Sequence, residues 1–246
     1  MSALHELKSR QLDLILHSPG GSLEAAEQIV NYLRAKYEHI RAIIPVSAMS
    51  AATMIACACD EIIMGKHSAI GPIDPQITFP TPSGHFTAPA QSIIDDFKQA
   101  QEEVSNNPKT APLWINKVNA YPPGFLKMCS NTIELAKEKV EEWLSRYMLK
   151  DVPSENNKAK EIACWLGDAN LHKTHRRPIN ISVAKEKGLK VIPLEDDQQL
   201  QERVLSVFHA NMATFEFSDC MKLVENHTGK GLFLNVKIEL QRLPMT

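Results

Sequence analysis

Leu12-Asp-Leu-Ile-Leu16 runs straight into His17-Ser-Pro-Gly-Gly21, and that junction narrows the folds open to the chain. The first segment is a short apolar run suited to a strand buried in a parallel sheet. The second is a turn that neither a strand nor a helix continues through. A helix is expected next. Ser22 can cap it, Glu24 suits its first turn, and Leu23, Ala26, Val30, Leu33 and Tyr37 form one apolar face. Residues 41–46 read as a second strand, residues 49–59 as an Ala-rich buried helix, and residues 61–64 as a third strand. Strand and helix thus alternate over the first seventy residues, which predicts parallel pairing through right-handed crossovers.

The pattern then changes. Pro72, Pro75, Pro80, Pro82 and Pro89 make residues 71–89 extended or looped, and exclude a central strand there. Helices are expected at residues 92–104, along the stripe Ile133, Ala136, Val140, Trp143 and Tyr147, and at residues 159–166 with Gly167 as the stop. A short helix ends at Gly188, residues 189–192 return as a strand, and residues 198–213 form a late amphipathic helix. No internal repeat and no long linker asks for a domain boundary.

Composition sets the function classes aside. With 43% apolar and 23% charged residues the chain is an ordinary globular protein rather than a disordered one. A net charge of −2 gives no global basic field, so no nucleic-acid partner is expected. The five cysteines, Cys57, Cys59, Cys129, Cys164 and Cys220, are odd in number and contain no CxxC pair, which fits neither a disulfide scaffold nor a zinc ribbon. Residues 43–59 carry no charge, yet include Pro45, Ser47, Ser50 and Thr53 and fall short of the roughly 20 apolar residues of a membrane span. The start of the chain is polar and charged, unlike a signal peptide. A cytoplasmic location without membrane attachment is the expectation.

Chemistry is expected at the two strand ends, because ligands of open parallel sheets bind outside the carboxyl ends of the strands. Strand one ends in Ser18-Pro-Gly-Gly21, and strand two in Val46-Ser-Ala-Met-Ser50-Ala-Ala52 at the start of a helix. A serine there has small neighbours, and helix N–H groups beside it. The Ala51 N–H follows Ser50 directly, and Gly20 or Gly21 can bring a second N–H close.

The set His17-Ser-Pro-Gly-Gly21, Ala48-Met-Ser-Ala-Ala52 and Gly71-Pro-Ile-Asp-Pro-Gln76 resembles the serine dehydrogenase proteinase family. Its members are distant relatives of the ClpP peptidases in the ClpP/crotonase superfamily. The resemblance continues at His175-Arg-Arg-Pro-Ile179, with Ala184 and Gly188-Leu189, and at Val224-Glu-Asn-His227-x-Gly229. It implies an α/β fold of the ClpP/crotonase type, with a parallel sheet, crossover helices and a helical insertion at about residues 91–149, all within one domain of residues 1–246. It implies a serine peptidase with Ser50 as nucleophile, Asp74 as acid and His175 as base. The implied oxyanion hole is Gly20 or Gly21 with Ala51. No metal or cofactor is implied; a peptide or protein substrate and a homo-oligomer are. Many relatives carry an N-terminal membrane segment and an extra strand, whereas this chain starts close to the first motif strand. A GxGxxG fingerprint is absent, so the family name does not make the chain a dehydrogenase.

Plainer readings stand beside these. Ser50 can be an N-cap, Ser47 is a rival in the same turn, Asp74 can close an Asx-turn, and His175 can be a solvated loop residue. His172-x-x-His175 has a spacing shorter than most metal pairs and no obvious third ligand. The basic cluster from His172 to Arg177 lacks aromatics to stack nucleic-acid bases. Three functional alternatives remain: a crotonase-type acyl-CoA enzyme with carboxylate bases, a Ser–Lys peptidase with Lys98 or Lys127, and a degenerate peptide-binding scaffold.

Overall fold

The computed structural model describes residues 2–81, 84–153 and 156–236. Their contacts group into two compact units, one of residues 11–196 and one of residues 1–10 with 197–246. The sequence pattern leads to the expectation of one domain over residues 1–246.

The larger unit is built on a four-stranded sheet in the order β1-β2-β4-β8, formed by β1 (Gln11–Ile15), β2 (His39–Ile44), β4 (Glu61–Met64) and β8 (Val191–Pro193). All its pairings are parallel, with Leu14 opposite Ala42, Ile43 opposite Ile63, and Ile62 opposite Val191. This is the parallel α/β architecture that the alternating pattern predicts. Ile40, Ile43, Ile44, Ile62 and Met64 are fully buried, as strands covered on both faces require. Between β1 and β2 runs α1 (Leu23–Lys36), whose first turn is closed by Ser22 Oγ accepting the Ala25 N–H at 3.2 Å. Of the expected face, Ala26, Val30 and Leu33 are buried, as is Tyr37 at the end of the helix.

The second helix, α2 (Ala51–Cys57), is short and buried along its whole length. Ala51, Ala52 and Ala56 let it lie close to its neighbours, and Met54 and Ile55 are buried with them. Cys57 and Cys59 behave here as small apolar residues: burial pushes both thiols up to about 12, away from reactivity. All five cysteines are free.

A second, thinner row of strands stands beyond the carboxyl end of β2. Ser18 bridges Ala48 of β3 (Ser47–Ala48), β3 pairs with β5 (Ala69–Ile70), and Ile70 bridges Ile179. The first three run parallel and the last antiparallel. Sequence patterning does not reveal this row, because two-residue strands have no periodicity to read.

The Pro-rich stretch forms an antiparallel hairpin, β6 (Gln76–Thr81) with β7 (Gly84–Pro89), apart from the main sheet. In a two-stranded ribbon both strands are edges, where proline is tolerated. Helices α3 (Ala90–Asn106), α4 (Ala111–Asn119) and α5 (Phe125–Trp143) follow, and α5 continues into a π-helical turn at Leu144–Met148. These occupy the stretch read as a helical insertion. Phe79, Tyr121 and Phe125 pack with Ala88, Ala90, Ile93 and Cys129 between hairpin and helices. Next come α6 (Lys158–Leu166), α7 (Ala169–His172) and α8 (Ile181–Glu186).

The smaller unit contains α9 (Gln198–Phe217) and a hairpin of β9 (Cys220–Glu225) and β10 (Gly231–Asn235). Asn226 organises the hairpin turn: its Oδ1 accepts the N–H groups of Thr228 and Lys230, and its amide donates to the Ala3 carbonyl. Gly229 there has a φ of +82°. The motif Val224-Glu-Asn-His227-x-Gly229 is therefore turn chemistry. Among the described residues no helix is long and apolar enough to cross a membrane.

Candidate active site

The thin row gathers the expected site residues at one edge. Gly20 lies two residues past Ser18, Ser50 two past Ala48, and Asp74 four past Ile70, all on the carboxyl side of parallel strands. Ile179 runs the other way, so His175, four residues before it, belongs to the same edge. Reciprocal backbone hydrogen bonds between Ile70 and Ile179, 3.1 and 2.8 Å, fix that register.

Ser50 occupies the junction between β3 and α2, at φ 53° and ψ −122°, and its side chain makes no capping hydrogen bond. A non-glycine residue in this region costs about 1–3 kcal/mol, and such strain persists only where surrounding contacts impose it. Those contacts are visible. The Ser18 carbonyl accepts the Met49 N–H at 3.0 Å, and the Met49 carbonyl accepts the Ala52 N–H at 2.9 Å. Thr53, fully buried, donates its hydroxyl to the Ala48 carbonyl at 2.8 Å and accepts the Gly71 N–H at 3.0 Å. One side chain thus ties β3, α2 and the segment after β5. Ser50 stands at the N-cap position of α2, with its carbonyl accepting the Met54 N–H at 3.1 Å, but its hydroxyl makes no cap bond.

The two glycines differ. Gly20 has φ +111°, and a Cβ there would stand 2.8 Å from Ser50 Cβ and 2.9 Å from the Met49 carbonyl oxygen. Only glycine lets this strand end approach the serine turn. Its N–H is donated to Ser18 Oγ at 3.1 Å. A Cβ on Gly21 would meet nothing within 4 Å. Among the described residues neither the Gly21 N–H nor the Ala51 N–H has an acceptor.

Asp74 and His175 meet across 101 residues of sequence: His175 Nδ1 lies 2.9 Å from Asp74 Oδ1. Asp74 is buried at 3% exposure, while the His175 ring keeps access to solvent. The other carboxylate oxygen, Oδ2, accepts the side-chain amide of Gln76 at 2.7 Å. A carboxylate only accepts, so Nδ1 is the donor of this bond, and in the neutral ring that arrangement leaves Nε2 as the acceptor. The solvated-loop reading of His175 is thereby corrected, and so is the Asx-turn reading of Asp74. Among the described residues no hydrogen bond joins Ser50 to His175; in unliganded sites such bonds are often long and tighten with substrate.

The loop carrying His175 is pinned at several points. Asp168 caps α7 by accepting the Leu171 N–H, Arg177 donates to the Leu171 carbonyl, and Asn170 donates to Asp95 of α3. His172 is buried, with Nε2 2.8 Å from the Trp165 carbonyl. It supports the loop from beneath and does not share a ligand with His175, whose ring turns to Asp74. Among the described residues no cluster of His, Cys, Asp and Glu is arranged to hold a metal ion. Ser47 contacts His17 only at 3.5 Å, on the opposite face of β3 from buried Ala48. Lys98 and Lys127 are exposed on α3 and α5, without the burial that makes a lysine a base.

Sequence reasoning missed the contributions of Ser18, Thr53 and Gln76. Gln76 stands in the quoted motif without a role, and its spacing of two from Asp74 is the only signal it offers.

The parallel sheet with its crossover helices is consistent with a ClpP-like α/β fold. Residues 5–113 match the family model described as ClpP-like SDH-type serine proteinase. The matched stretch includes Gly20, Gly21, Ser50, Ala51 and Asp74; His175 lies beyond it. The chain is also 35% identical over 180 residues to the uncharacterized protein MJ1495 of Methanocaldococcus jannaschii, covering 73% of this chain and 51% of that protein. It is 33% identical over 184 residues to the uncharacterized protein MJ0137 of the same organism, covering 75% and 54%. The chain spans about half the length of these curated relatives.

Proposed function

We propose that the chain is a serine peptidase that hydrolyses peptide bonds through Ser50, His175 and Asp74. The observation that carries this reading is the 2.9 Å bond from buried Asp74 to His175, at the same edge as a strained serine whose hydroxyl has no cap to serve. Ser50 Oγ attacks the carbonyl carbon of a peptide as His175 Nε2 takes its proton. The carbonyl electron pair moves onto oxygen, where the free N–H groups of Gly21 and Ala51 receive it. Gly20 acts by close packing; Gly21 is the better donor of the two, since the Gly20 N–H is already engaged by Ser18. Collapse of this intermediate breaks the C–N bond, and the proton on Nε2 goes to the leaving amine. Water, deprotonated by the same nitrogen, then attacks the acyl–Ser50 ester; the C–O bond to Ser50 breaks, Ser50 Oγ takes back the proton from Nε2, and the acid is released.

A lysine base receives no support from exposed Lys98 and Lys127. A carboxylate base of the crotonase kind receives none from Asp74, whose oxygens are both engaged. The deciding experiment is fluorophosphonate labelling of the purified chain, with mass spectrometry to locate the adduct. An adduct on Ser50 is expected, absent in Ser50→Ala and much slower in His175→Ala. A folded chain that carries no adduct, yet binds peptides saturably, is instead the degenerate scaffold.

A further inference from the structure

We propose that Gln76 is a positioning residue that holds the Asp74 carboxylate and thereby sets how strongly His175 retains a proton. The proposal deepens the peptidase reading and rests on it for its functional meaning. Asp74 is buried at 3% exposure, and no lysine or arginine is paired with it among the described residues. A buried carboxylate without a cation needs hydrogen bonds to both oxygens to remain charged. His175 Nδ1 serves Oδ1 at 2.9 Å, and the Gln76 amide serves Oδ2 at 2.7 Å.

The amide is itself fixed. Gln76 opens β6 opposite Pro89, and the neighbouring Pro75 carbonyl accepts the Ala90 N–H at 2.9 Å. The hairpin and the start of α3 therefore aim this donor, which gives the Pro-rich hairpin a task in the site. Charged groups on the surrounding elements are engaged elsewhere or exposed. Asp95 of α3 accepts from Gln91 and Asn170, Asp168 caps α7, Arg177 donates to the Leu171 carbonyl, and Lys173 and Arg176 are exposed.

The consequence has a definite sign. While His175 is neutral, Asp74 bears an uncompensated charge, and the Gln76 donor stabilises it. Once the ring is protonated, the imidazolium compensates that charge and the donor matters less. Removing the donor thus favours the protonated pair. His175 then holds its extra proton to higher pH and is a poorer base in the neutral range.

The test compares the full chain with Gln76→Met, which keeps length but not the donor, and with Gln76→Leu as a second donor-free side chain. The His175 ring is followed by NMR titration, its signal assigned by loss in His175→Ala, and urea unfolding checks that each variant folds cooperatively. The ring is expected to titrate at a pH about one unit higher in the variants, and Ser50 to label about tenfold more slowly at neutral pH. A His175 titration unchanged in folded variants overturns the proposal. If wild-type Ser50 never labels, the peptidase reading fails, and the titration still decides the role of Gln76. A purely structural Gln76 would alter stability and leave the titration where it was.

Discussion

The main sheet and the thin row beyond it solve opposite problems. The sheet is wide and redundant: β2 and β4 are covered on both faces, with Ile40, Ile43, Ile44 and Ile62 at 0–1% exposure. The row consists of two-residue strands and single bridges, held by polar ties such as Thr53 to Ala48 and Gly71. All the proposed chemistry hangs from the row. Stability resides mainly in apolar burial, while the site resides where backbone is strained and polar groups are close. Substitutions in the two regions should therefore separate stability from reactivity.

The largest effect is expected from Asp74→Asn. An asparagine amide in that place donates to His175 Nδ1, which moves the ring proton to Nε2 and abolishes the base. Labelling of Ser50 should fall about 10³–10⁴-fold with little change in the urea midpoint. A variant that labels at the wild-type rate would falsify the assignment of Asp74.

Ile62→Ala tests the other region. Ile62 is fully buried between β2 and β8. Its truncation should cost about 3 kcal/mol in urea unfolding, while the folded fraction labels at the wild-type rate. Slower labelling per folded molecule would mean that the sheet and the row are not separable.

Thr53→Val falls between the two. The methyl group fits the space, but the Ala48 carbonyl and the Gly71 N–H lose their shared partner inside the protein. A loss of about 2 kcal/mol is expected, with slower labelling because β3 and the Asp74 segment are no longer tied. Loss of stability with an unchanged rate would show that the strained turn at Ser50 does not depend on this tie.

The same contrast decides how much could be read from sequence. Strands β1, β2 and β4 were legible because each is an apolar run long enough to show its type, and α1 because a cap and a 3.6-residue stripe agree. Strands β3 and β5 were not: two residues carry no period, and their existence depends on partners far away in sequence. Ser50, Asp74 and His175 were legible only as pieces of motifs. Nothing local tells that residues 101 apart meet, since that follows from Ile179 running antiparallel to Ile70. The division of labour between Gly20 and Gly21 was likewise hidden, because it depends on which Cβ would strike Ser50.

One charged tie belongs to the sheet rather than the row, and it gives the smallest effect. Asp60, buried beside β2, accepts the Ile40 N–H at 2.8 Å and pairs with Arg34 at 2.8 Å. Arg34 also reaches the Ala58 carbonyl at the end of α2 and lies 3.8 Å over the Tyr147 ring. Burial alone raises the Asp60 carboxyl, but the Ile40 N–H and Arg34 together hold it below its ordinary range. A carboxyl depressed in the folded state stabilises fully above its unfolded value, about 3.9, and that stabilisation is lost as pH falls through the lower folded value. Asp60→Asn can still accept from Ile40 and Arg34, so it should cost only about 1–2 kcal/mol at pH 7. The gap to wild type should close as pH drops below about 4. A gap that persists in acid would mean that Asp60 acts by shape and hydrogen bonding alone, and that the sheet carries no charge-dependent tie.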